Sequence, residues 1–349
     1  MNRRSFATTM LGASAFARIA RLPRQDRADF GITAIDGIRV GHYTYMERPT
    51  GCTVLLTEVG ATGGVDVRGS APGTRETDLL DPVNMVQQVH AIVLSGGSAF
   101  GLDSASGVVR YLRERNIGFP TRAANVPIVP AAILYDLNIG DSTITPDADA
   151  GYRACLAATT GALAEGNIGA GAGATVGKSM GGGRAMKGGL GTSSFRTPDG
   201  VVVGALVAVN CVGNVVDPSN GTIVAGARDG NGGFIDTRQM ATLGQEPQIA
   251  LGEATTIGVV ATNAAFTKAE VTKIAQMAQD GLARTIYPAH TMGDGDTVFA
   301  VATGTAEVDG NLGLVGALGA EVMADAILRA VRAAESIPGY PAARDYPEN

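Results

Sequence analysis

Five stretches of this chain run for a strand's length without a single charged residue: 53–57 (TVLLT), 91–95 (AIVLS), 201–210 (VVVGALVAVN), 256–262 (TIGVVAT) and 297–303 (TVFAVAT). Side chains alternate between the two faces of a strand, so a sheet with one wet face reads as alternating polar and apolar residues. These stretches do not alternate, and both of their faces are expected to be covered. A further strand is expected within 31–45, where Ile32, Ile38 and Val40 lie in an alternating pattern. Helical spacing lies between the strands. Leu102, Val108, Val109 and Leu112 share one pattern, and 147–165 is alanine-rich with the same period. Thr267 and Glu270 form a capping box ahead of Val271, Ile274, Ala278 and Leu282. A long helix is expected over 314–334. Strands covered on both faces and interleaved with helices predict a layered α/β sandwich.

Forty-nine of the 349 residues are glycine, about twice the usual share of roughly 7%. No G-X-Y period accompanies them, so they point to tight turns and close backbone approaches instead of collagen. The net charge of −6 argues against a nucleic-acid partner, and the 5% aromatic content with no Trp argues against base stacking. Cys52, Cys155 and Cys211 are widely spaced and odd in number, which fits small buried hydrophobes better than a disulfide framework or a zinc site.

The first 24 residues hold Arg3, Arg4, Arg18, Arg21 and Arg24 and no acid. Arg3-Arg4 ahead of a short, weakly apolar run resembles a twin-arginine export signal, with Asn2 and Ala7 departing from the usual pattern. Residues 1–30 are therefore expected to be an export segment leading to the periplasm, with a cytoplasmic location as the alternative. The run is too short to span a bilayer, and no later segment does so.

Two short matches fail on context. Residues 173–179 (GATVGKS) suggest a phosphate loop, but Ala172 stands where its first glycine belongs and more glycine follows instead of a helix. Residues 177–181 (GKSMG) match G-x-S-x-G, yet 180–183 (MGGG) cannot supply the helix that a nucleophile elbow requires. His42, His90 and His290 lack metal-ligand spacing and read as core or surface histidines. Asp229-Gly230-Asn231 and Asp309-Gly310-Asn311 read as turns.

What remains is Thr255-Thr256 at the head of a strand, and Asp294 and Asp296 in HTMGDGDTVF. By composition alone, threonine favours strands and Asp-Gly-Asp is an ordinary turn. The run 255–304 (TTIGVVATNAAFTKAEVTKIAQMAQDGLARTIYPAHTMGDGDTVFAVATG) resembles the small-subunit segment of the self-cleaving L-aminopeptidase/D-esterases and β-aminopeptidases, nearest their 6-aminohexanoate (nylon) oligomer hydrolase branch. RGSAPGTRETD from Arg68, LSGGSAFGLDSASGV from Leu94, GATVGK ending at Lys178 and ALVAVNCVGNVVDP from Ala205 match as well, so the resemblance covers about 31–340.

The resemblance implies a four-layer α-β-β-α sandwich of the aminopeptidase/ornithine acetyltransferase-like, N-terminal-nucleophile-like type. It implies one catalytic domain over 31–349 that cuts itself between Ala254 and Thr255 into 31–254 and 255–349. Thr255 would then be both nucleophile and new N-terminus, and its freed amine the base. Asn210 matches the oxyanion donor, Lys178 the lysine beside the nucleophile, and Tyr135 the pocket tyrosine. Asp294 and Asp296 match the pair that orients Thr255 and could hold a substrate ammonium. No cofactor or metal is implied. The substrate is expected to be a small peptide or amino-acid amide, and the assembly a tetramer of processed heterodimers. The polar connector 218–252 would present the scissile bond. One departure is Ala254, where this branch more often has Asn and other branches Gly. An acyltransferase of the ornithine acetyltransferase type and an unprocessed binding protein are the alternatives.

Overall fold

The computed structural model describes residues 31–245 and 252–346, so the export-like segment 1–30 and the connector residues 246–251 lie outside the described residues. Among those described, nine strands form one sheet: β1 (Arg39–Thr44), β2 (Gly51–Val67), β3 (Thr74–Arg75), β4 (Gln88–Ser95), β5 (Ala131–Ile133), β6 (Gly189–Arg196), β7 (Val202–Asn210), β8 (Thr255–Thr262) and β9 (Thr297–Ala302). Their order is β6-β7-β8-β9-β2-β4-β5-β3, with β1 paired to β2. The helices are α1 (Ser104–Glu114), α2 (Ala148–Leu156), α3 (Thr237–Thr242), α4 (Lys268–Thr285) and α5 (Leu312–Ala333).

The side-chain alternation of each strand resolves this sheet into layers. Along β7, Val203, Ala205, Val207 and Val209 face a core shared with Val271, Ile274 and Ala278 of α4 and Met323, Ile327 and Val331 of α5. The intervening Val202, Leu206 and Ala208 face a second core, which also takes Ile257, Val259 and Phe299. Leu55, Ile92 and Leu94 of β2 and β4 enter that same core from the other side. The opposite faces of β2 and β4, with Val54, Leu56, Ala91 and Val93, pack on Ala105, Val108 and Leu112 of α1 and Ala150 and Ala154 of α2. The result is helix, sheet, sheet, helix, the expected four-layer sandwich.

The long β2 joins the two halves. Its first part pairs with β1 and β4, and its last six residues pair with β9, with a register shift between Leu56 and Ala61. Only its 53–57 portion reads as strand from sequence, because Gly60, Gly63 and Gly64 look like turn residues. Gly64 is instead a close approach: a Cβ there would lie 2.6 Å from the Thr272 backbone nitrogen of α4.

Other expectations are corrected. The first strand begins at Arg39, not within 31–38; Gly31–Ala34 is a 3-10 turn anchored by the Ile32 N–H on Thr192 Oγ1. The helix expected to reach Glu165 stops at Leu156, because Thr159 exchanges both backbone hydrogen bonds with Val40 of β1. The described part of the polar connector 218–252 holds the strand Ile223–Ala225 and α3. The capping box at Thr267 and Glu270 is present as expected.

Candidate active site

Three strand ends converge. β7 and β8 are antiparallel, with Asn210 directly opposite Thr255. β8 and β9 are parallel, so the loop entering β9 lies beside the start of β8, and Ala254 bridges to Asp294. Thr255, Asn210, Asp294 and Asp296 are all at most 3% exposed. Lys178 reaches them from the glycine-dense segment. Gly177 has φ +74°, and a Cβ on it would lie 2.1 Å from the Gly226 carbonyl carbon, so only glycine permits the turn that aims Lys178 inward.

The Lys178 ammonium donates to Asn210 Oδ1 at 2.7 Å, to the Asn210 carbonyl at 3.0 Å and to the Glu253 carbonyl at 2.8 Å. Burial lowers its pKa to about 8, opposed by nearby acids. Asn210 Oδ1 also accepts the Thr175 N–H at 2.9 Å, and its Nδ2 donates to the Tyr135 carbonyl at 3.0 Å. With the Thr175 hydroxyl also within 3.4 Å of Oδ1, three donors on the oxygen and one acceptor on the nitrogen determine which way the amide faces. Tyr135 thus joins the site through its backbone, while its half-buried phenol is raised in pKa by burial and by Glu253.

The two aspartates differ. Asp296 is fully engaged: Oδ1 accepts the Thr256 N–H at 2.7 Å, and Oδ2 accepts the His290 N–H at 3.0 Å and faces His290 Nδ1 at 2.9 Å. Asp294 accepts the Thr291 N–H at 2.8 Å on Oδ2, while its buried Oδ1 has no hydrogen-bond partner. Burial, and then the Asp296 charge, raise Asp294 to about 6.

At the expected cut, Thr255 Oγ1 donates to the Ala254 carbonyl at 2.5 Å, and the Gly295 N–H donates to the same oxygen at 3.0 Å. A Cβ on Gly295 would lie 2.8 Å from Thr255 Oγ1. The glycine therefore leaves room for the hydroxyl. Of the six residues expected from sequence, Thr255, Asn210, Lys178, Asp294 and Asp296 come together through their side chains and Tyr135 through its carbonyl; His290 and Gly295, which also meet there, were not singled out. A histidine six residues from Asp296 has no distinctive spacing, and a backbone N–H carries no sequence signal at all. The rejected elbow serine, Ser179, is fully buried, and only short 3-10 turns follow it.

The model of the family described as Peptidase family S58 matches residues 31–344. The chain belongs to peptidase family S58. An "uncharacterized aminopeptidase" of Mycobacterium leprae is 44% identical to this S58 chain, covering 89% of it and 92% of that protein. A 6-aminohexanoate-oligomer endohydrolase of Kocuria is 33% identical, over 85% of this chain and 84% of its own length. Among solved structures, a Burkholderia β-aminopeptidase superposes with a TM-score of 0.65 at 22% identity, covering 88% of this chain and 87% of that one. The Ochrobactrum anthropi L-aminopeptidase D-Ala-esterase/amidase, described as a variant of the Ntn hydrolase fold, gives 0.66 at 19%, with 89% of each chain covered. The S58 chain therefore has an Ntn-type fold and is a hydrolase of amide bonds. The alternative of an acyltransferase finds no support among these relatives, which are named for hydrolysis.

Proposed function

We propose that the chain cuts itself between Ala254 and Thr255 and then works as an N-terminal-threonine aminopeptidase or amidase on small peptides or amino-acid amides. One observation carries this reading: the Thr255 hydroxyl and the Gly295 N–H both sit on the Ala254 carbonyl oxygen. In the cut, Thr255 Oγ1 adds to the Ala254 carbonyl carbon, and Gly295 holds the oxygen as it gains charge. The C–N bond then breaks as the Thr255 nitrogen takes the proton given up by the hydroxyl and becomes a free amine, and water hydrolyses the resulting Ala254 ester.

The freed amine solves the problem of a weak nucleophile. An α-amino group has a pKa of about 7.7–8.0, and the nearby Lys178 ammonium favours its neutral form. It takes the Thr255 hydroxyl proton as the hydroxyl attacks a substrate amide, and it returns that proton to the leaving amine. An Asn210 amide hydrogen supports the acyl oxygen. Water then releases the acid from the Thr255 ester. Asp296 holds the start of β8 through Thr256, and Asp294 offers its unpartnered oxygen to a substrate ammonium. The relatives named as aminopeptidases support substrates with a free amino end. We also read the chain as exported through its paired arginines and assembled as a tetramer of cut heterodimers. Among the described residues, no helix is long and apolar enough to cross a membrane.

Intact-mass spectrometry of the freshly purified chain beside Thr255→Ala tests the reading. The wild type is expected to give fragments meeting at Ala254/Thr255, and the variant a single uncut species. An uncut, stable wild type would refute the Thr255 mechanism.

A further inference from the structure

Lys187 is fully buried, and its ammonium donates to three carbonyls: Gly171 at 2.9 Å, Ala174 at 3.0 Å and Gly188 at 3.0 Å. Nothing in the mechanism above uses it. The Ala174 carbonyl belongs to the same peptide group as the Thr175 N–H, which binds Asn210 Oδ1 at 2.9 Å. A cation on the oxygen of a peptide group polarises that group and strengthens its N–H as a donor. The Gly188 N–H, at 2.8 Å on the same Ala174 oxygen, fixes the peptide plane as well.

The other end of the Asn210 amide is held in a similar way. Its Nδ2 donates to the Tyr135 carbonyl, which shares a peptide group with Asp136. Asp136 is fully buried, and its carboxylate takes Arg48 at 2.6 Å, Thr50 Oγ1 at 2.7 Å and the Gly97 N–H at 2.9 Å. Arg48, itself fully buried, also donates to the carbonyls of Asp136, Ile139 and Ile144. The two cradles meet at Gly173, where a Cβ would lie 2.6 Å from Asp136 Oδ2.

We propose that Lys187 and Asp136 are positioning residues for Asn210: each buried charge fixes one of the two peptide groups that grip its amide. Oδ1 is directed at Thr175 and Lys178, and one Nδ2 hydrogen at Tyr135. The second Nδ2 hydrogen is then the one presented to the acyl oxygen. The inference rests on the reading that Asn210 serves the Thr255 reaction.

The test compares Lys187→Met and Asp136→Asn with wild type in the full chain. Their readouts are the rate of self-cleavage by intact mass, kcat and KM per cut chain on alanine 4-nitroanilide, and Tm. Lys268→Met is the control. It removes a partly buried ammonium from the Leu79 and Asn84 carbonyls, away from Asn210. Thr50→Val, which deletes one hydroxyl contact on Asp136, is the mild variant should the others fail to fold. Lys187→Met and Asp136→Asn are expected to lower kcat by about 10- to 100-fold with KM nearly constant, as misplacement of a catalytic group does. Thr50→Val is expected to lower kcat by about 3-fold, and Lys268→Met to change Tm alone. In an Asn210→Ala background the same substitutions are expected to add no further loss, the mark of residues acting through one group.

Unchanged kcat and cleavage in the folded variants, or losses that multiply fully with Asn210→Ala, would overturn the proposal. An uncut and inactive wild type would overturn the Thr255 reading and this inference with it. A cut, active wild type with unaffected variants would overturn this inference alone.

Discussion

Asp294 and Asp296 lie two residues apart and are equally buried, yet only Asp296 has hydrogen bonds to both carboxylate oxygens. Asp294 carries the electrostatic cost of the pair. Its folded pKa is raised from 3.8 to about 6, so the folded chain binds that proton more tightly than the unfolded chain does. Its contribution to stability is then complete below the unfolded value and is lost as pH rises through the folded one. Asp294→Asn is therefore expected to raise Tm at pH 7.5, with the gain vanishing below about pH 4. The same substitution is expected to slow turnover of amino-terminal substrates. Paired thermal melts and rate measurements across pH check both effects. A variant less stable than wild type at neutral pH would contradict the assignment of strain to Asp294.

At the scale of elements, glycine lets helices lie directly on strands. A Cβ on Gly191 of β6 would lie 2.1 Å from the Ala326 carbonyl and 2.5 Å from the Ala330 nitrogen of α5. Gly191→Ala is expected to push α5 outward and destabilise by about 1–3 kcal/mol, read as a fall in urea midpoint. The α4 cap is a smaller and independent contribution: Thr267→Ala is expected to cost about 1 kcal/mol with kcat unchanged. These two sites differ in how legible they are. Thr267 and Glu270 announce a helix start because a capping box is a local pattern. Gly191 and Gly64 look like any other glycine, because the backbone that crowds them comes from a helix far along the chain.

At the scale of the whole molecule, β8 is an interior strand, antiparallel to β7 over eight residue pairs and parallel to β9 over six. A cut before Thr255 leaves both ladders and both flanking cores intact. The cut wild type is thus expected to run as two bands on a denaturing gel. On gel filtration it should elute at the same volume as uncut Thr255→Ala. Separation of the fragments without denaturant would show that the peptide bond, and not the sheet, holds the halves together.

Strand and helix identity was legible because it rests on local patterns. Charge-free runs such as 201–210 require cover on both faces, and the spacing of Val271, Ile274 and Ala278 gives one helical stripe. Membership of the family was legible through the ordered motifs. Helix α2 was over-extended because what ends it is Thr159 pairing with Val40, more than a hundred residues earlier. The site's wiring was decided in the same way. Lys178 meets Asn210 and Glu253 across 32 and 75 residues of chain, and Lys187 acts on Asn210 only through a peptide group. By itself the sequence determined which residues prefer strand, helix or turn and which can donate, accept or attack. Which of them touch was decided by the register of β7, β8 and β9 and by the layers packed around them, because contacts between distant segments form only once the cores close.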